Sequence, residues 1–80
     1  MPYITQEQRE RLDIPARQIN NAGELNYCLT NIVLEFLGEN PRYQNYNDVI
    51  GVLECMKQEI YRRKIVPYED LKIKENGDVF

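Results

Sequence analysis

The chain has no histidine and no tryptophan, and its two cysteines, Cys28 and Cys55, are far apart in sequence. The usual zinc patterns, which need closely spaced Cys and His ligands, are therefore excluded, and so is any nucleophile that relies on an imidazole base. Glycine is scarce as well. Its four copies, at 23, 38, 51 and 77, stand alone, so no glycine-rich loop is available to cradle a phosphate. No apolar run approaches the roughly 20 residues that span a bilayer. The polar opening Met1-Pro2-Tyr3-Ile4-Thr5-Gln6 lacks the basic-then-apolar order of a signal peptide. A cytoplasmic protein with no membrane partner is expected. An excess of positive charge is missing too: 10 Lys and Arg face 13 Asp and Glu, a net charge of −3 that disfavours a protein built to coat phosphate backbones.

What is present is a globular composition. With 42% hydrophobic and 29% charged residues, the chain can bury a core and is not of the disordered class. Its 80 residues leave room for one domain, 1–80, and no second core. A chain this short buries only about 60% of the surface its unfolded state exposes, so a homodimer interface is a natural supplement. Cys28 and Cys55 fall among Leu, Ile and Val at helical spacing and read as reduced core thiols.

Helix signals follow in order. In Thr5-Gln6-Glu7-Gln8 the Thr hydroxyl and the Gln amide can each satisfy an orphan backbone N–H, which places a helix start at Gln6. This short helix should loosen near Ile14, before Pro15, with Pro15 opening a further turn that carries Ile19. Asn21-Ala22-Gly23-Glu24 repeats the reciprocal cap. Leu25, Cys28, Leu29, Ile32, Val33, Phe36 and Leu37 then form one stripe of a 3.6-residue helix over 22–37, which Gly38 stops. Tyr27 and Leu34 lie on its opposite face, to be covered by the N-terminal arm or by a second subunit. Residues 39–47 carry three asparagines and a proline, which is loop chemistry, and Asn45 or Asn47 is the expected cap of a third helix over 46–64. Its stripe is Val49, Val52, Leu53, Met56 and Ile60. Gly51 lies on the outer face, where a close neighbour would fit. Pro67 ends or kinks this helix, yet Pro67-Tyr68-Glu69-Asp70 also resembles a restart that runs to about Lys74. Asn76-Gly77 marks a turn, with Val79-Phe80 as a short strand or a docked apolar tail. The expected fold is all-α, with the 22–37 and 46–64 helices antiparallel, a short N-terminal helix and a helical or extended C-terminal segment.

Charge is dense and mixed from Glu54 to Glu75. Glu59 reaches Arg62 and Arg63 at i+3 and i+4, which supports a helix and orients the guanidinium forks. If Pro67 folds the last segment back, Glu69 and Asp70 approach these arginines, and Glu59, Arg62, Arg63, Tyr68, Glu69 and Asp70 form the candidate binding surface. Two duller roles compete: a salt-bridged helix end, and fastening of the C-terminal segment. An enzyme would have to draw on Glu54, Glu59, Glu69 and Asp70 to hold magnesium, the one dense supply of acids. Nucleic-acid binding would use Arg62, Arg63 and Lys64 with Tyr61 or Tyr68 stacking. No catalytic constellation emerges, and neither a cofactor nor a resident metal is called for.

Several stretches resemble a family of small uncharacterised proteins scattered through bacterial and bacteriophage genomes. They are Met1-Pro2-Tyr3-Ile4, Asn20-Asn21-Ala22-Gly23-Glu24-Leu25-Asn26-Tyr27, Gly51-Val52-Leu53-Glu54-Cys55, Glu59-x-Tyr61-Arg62-Arg63, Pro67-Tyr68-Glu69-Asp70 and Asn76-Gly77-Asp78-Val79-Phe80. The likeness covers nearly the whole chain and is densest in the last thirty residues. It implies a short cytoplasmic protein, often phage-borne, and carries over no catalytic residue. Where relatives often have a second valine and an alanine before the Pro-Tyr-Glu-Asp stretch, this chain has Lys64-Ile65-Val66, which adds a positive charge. The functional expectation is a non-enzymatic interaction protein, for instance a phage accessory factor that binds a host protein or a small anionic ligand.

Overall fold

Side chain to backbone hydrogen bonds start the helices of the computed structural model, which describes residues 4–12 and 18–80. The backbone N–H of Thr5 donates to Gln8 Oε1 (2.8 Å) and that of Gln8 to Thr5 Oγ1 (3.1 Å), closing the reciprocal cap of α1, Gln6–Leu12. The Ile14-Pro15 turn lies outside the described residues. Helix α2, Ala22–Leu37, opens the same way: the Glu24 N–H donates to Asn21 Oδ1 (2.9 Å), while Glu24 reaches back to accept from the Asn20 N–H (2.9 Å). It ends where the sequence places its stop. Gly38 takes φ 72°, a left-handed conformation that a side chain would strain, and its N–H donates to Leu34 O (3.0 Å).

Two units divide the chain, Met1–Asn31 and Ile32–Phe80, with the boundary inside α2. In the first, Cys28 and Leu29 are half-buried and Tyr27 is 71% exposed. The second holds the last turns of α2, a five-residue connection at 38–42, and α3, Tyr43–Ile60. Helix α3 starts three residues earlier than the sequence reading, and neither Asn45 nor Asn47 is its N-cap. Arg42 occupies the N-cap position, and Asn45, in the third helical position, turns its amide oxygen back to accept the Arg42 N–H (2.8 Å). Asn45 thus closes the turn from inside the helix. Because Arg42 has no side-chain acceptor, the usual residue-type signal for an N-cap is missing.

Pro67 neither ends the helix nor folds the chain back. The backbone stays helical from Tyr43 to Asn76, roughly 50 Å at 1.5 Å per residue, through a π-helical turn at Tyr61–Ile65 and α4 at Val66–Asn76. The Val66 N–H donates to Tyr61 O, the i to i+5 bond of a wider turn. A proline interrupts an α-helix through its absent donor and its clash with the carbonyl four residues earlier. The wider turn immediately before Pro67 absorbs both without a break. Helix α4 closes at Gly77, φ 86°, whose N–H donates to Ile73 O (2.8 Å). Val79 and Phe80 are fully exposed, neither strand nor docked tail.

The described residues contain helices and no strand. The fold is all-α. Ile32, Val33 and Phe36 of α2 face Asp48, Val49 and Val52 of α3 across an open groove of about 250 Å³ lined by apolar atoms. Val49 is the one buried hydrophobic side chain among the described residues. Val33, Leu37, Pro41, Asn45 and Leu53 of the same unit are half-buried. Cys55 is an exposed free thiol and not a core residue, and a Cβ at Gly51 would meet nothing within 4 Å, so the neighbour expected there is not supplied by the described residues.

Candidate functional site

Glu59 is the hub of the charged segment. Both Arg62 (2.9 Å) and Arg63 pair with its Oε1, and Arg62 Nη2 also donates to Oε2 (3.1 Å). The carboxylate is half-buried beneath two guanidinium groups that remain largely exposed. The Arg62 hydrogen bond, together with the positive charges of Arg62 and Arg63, holds the Glu59 carboxyl below its usual 4.5. One carboxylate thus partly neutralises two cations and fixes their planes, leaving Lys64 beside them without an ion pair among the described residues.

A second arrangement crosses the π-turn. The Tyr61 hydroxyl donates to Glu69 Oε1 (3.0 Å), eight residues on, and this bond to a carboxylate pushes the Tyr61 phenol above its usual 10.0. Further along, Lys72 Nζ lies 5.6 Å from the centroid of the Tyr68 ring and 3.3 Å from Glu75. One turn before Glu59, Glu54 pairs with Lys57 (3.3 Å) and accepts from Gln58 (3.3 Å), and these contacts lower its pKa, the Gln58 hydrogen bond most.

Five of the six candidate residues therefore enter specific contacts, in three separate groups. Glu59 joins Arg62 and Arg63, Glu69 joins Tyr61, and Tyr68 joins Lys72. Asp70 makes no ion pair among the described residues. The expected approach of Glu69 and Asp70 to the arginines is not seen, because the chain continues along the rod and does not double back. Tyr61 and Lys72 were absent from the candidate set. Tyr68 and Lys72 stand at i and i+4, so that contact was available from spacing. The Tyr61–Glu69 bond was not, since eight residues is no helical neighbour spacing without the wider turn. No cluster of three or more metal-ligating side chains occurs among the described residues, and no helix there is long and apolar enough to cross a membrane.

A family model described as "Domain of unknown function (DUF6899)" matches residues 1–79. The chain belongs to this family. No curated protein and no solved structure matches it. The DUF6899 match spans all of the candidate residues from Glu59 to Asp70, so the charged segment is part of the family domain and not an appendage to it.

Proposed function

We propose that this DUF6899 chain is a non-enzymatic interaction protein of a bacterial or phage-infected cytoplasm, acting through surface complementarity and without bond-making chemistry of its own. The observation that carries the reading is the apolar surface left open on the second unit. Phe36, Ile50 and Val52 are each about two-thirds exposed, while Val49 alone is buried. An apolar centre with a polar, charged rim is the anatomy of a protein interface, and Glu59, Arg62, Arg63, Tyr68, Glu69 and Asp70, further along the same helical rod, are the charged surface assigned to the partner beside it. A protein partner fits better than a small anion, because Glu59 already occupies the donors that would grip a phosphate.

Capture from the native host lysate tests this. Arg62→Ala and Arg63→Ala are expected to weaken recovery of a partner without changing the melting temperature. Variants that retain every partner, or that melt early, would show the cluster to be scaffold.

A further inference from the structure

Eight asparagines occur in the chain, and Asn76 alone is followed by glycine. The following residue decides how readily an asparagine side chain is attacked by its own backbone, because the attacking atom is the next amide nitrogen and a neighbouring Cβ hinders its approach. Nothing hinders it at this position. Gly77 carries no side chain, and a Cβ built there would meet nothing within 4 Å. Asn76 is itself exposed. Other asparagine amides are held in place, Asn21 by Glu24, Asn26 by Thr30 and Asn45 by the Arg42 N–H. The Asn76 amide makes no hydrogen bond among the described residues.

One contact keeps the two groups apart. Asn76 is the last residue of α4, and the Gly77 N–H donates to Ile73 O (2.8 Å), which ties the nitrogen to the helix end. Helix α4 has no buried residue, and an exposed terminal turn is where a helix opens most readily. From the unhindered glycine, the free amide and the single restraining bond we infer that Asn76-Gly77 is a self-modification site whose gate is the last turn of α4. With the turn open, the Gly77 nitrogen gives its proton to hydroxide and bonds to Asn76 Cγ. Ammonia leaves with a proton taken from water, which restores the hydroxide, and a succinimide ring remains. Water then adds to either ring carbonyl and breaks its bond to the nitrogen, leaving at 76 an aspartate or an isoaspartyl linkage. Either product sets a carboxylate between Glu75 and Asp78, at the end of α4 where the helix dipole is already negative. The isoaspartyl form also lengthens the backbone by a methylene, so the Gly77 cap on Ile73 is lost. The site needs no partner, so it stands or falls apart from the interaction reading.

The test uses the full chain, incubated at neutral and at mildly alkaline pH. Cleavage after Lys74 releases the segment 75–80, in which mass spectrometry reads the amide-to-acid mass gain and distinguishes the isoaspartyl form by its fragments. Both products are expected to accumulate at 76 ahead of every other asparagine, at a rate that rises in proportion to hydroxide. Asn76→Gln, whose ring would need a further atom, should lose the signal while melting as the unaltered chain does. In guanidinium chloride, where the turn is held open, conversion should run several-fold faster. An unaltered chain that keeps its Asn76 amide as long as the Gln variant keeps its own would overturn the site. Equal rates with and without guanidinium would overturn the gate.

Discussion

The two ends of the long helical rod are held by different means. At its start, Val49 is buried and lines a groove with Ile32, Val33 and Phe36, so the first turns of α3 meet the end of α2 through apolar side chains. Beyond Ile60 every residue is exposed, and α4 is held by contacts along its own helix: Tyr61 to Glu69, Lys72 to Glu75, Lys72 over Tyr68. Such exposed pairs contribute little each, and an 11-residue helix is marginal in water by itself. The same unbroken backbone thus has one end anchored by packing and the other supported by continuity, and amide exchange should be fastest in α4.

The sharpest way to break that contrast is Val49→Ala. Removing the one hydrophobic side chain buried among the described residues should cost about 2 kcal/mol in chemical denaturation while leaving the contacts beyond Tyr61 in place. A negligible cost would mean that the groove does not tie α3 down. Gly51→Ala should act with the opposite sign. The position is helical and open, so the methyl group adds helix propensity worth about 1 kcal/mol. Loss of stability there would reveal a neighbour beyond the described residues. The smallest effect belongs to the far end. Because the folded Tyr61 phenol is raised above 10.0, its support for the fold is fully present below pH 10 and is lost as pH climbs through the raised value. Ultraviolet titration should find one phenol ionising late, and Glu69→Gln should return it toward the others.

The parts of the fold that were legible in the sequence are those decided locally. Thr5 with Gln8, and Asn21 with Glu24, announce their helices because each bond is made within one turn, and Gly38 and Gly77 announce their ends through backbone conformations that side chains resist. The Glu59–Arg62–Arg63 fork was readable for the same reason. What could not be read depended on context. Asn45 looked like a cap and is one, but in the reverse sense, since Arg42 offers no acceptor of its own. Pro67 looked like an end or a restart; it stands in the first turn of α4 as the restart reading has it, and the wider turn before it lets the backbone stay helical. With the helix unbroken, the acids of α4 run away from the arginines, which separates a cluster that the sequence had drawn together.

The π-turn at Tyr61–Ile65 sets the phase between α3 and α4. It holds one more residue than an α-turn would, so everything after it is rotated by about 100° from where a regular helix would carry it. The Tyr61–Glu69 bond is a gauge of that angle. Substitutions within the segment alter its chemistry one side chain at a time, whereas deleting a single residue would swing Tyr68, Glu69 and Asp70 together to another side of the rod. For this part of the chain, the number of residues is constrained more tightly than their kind.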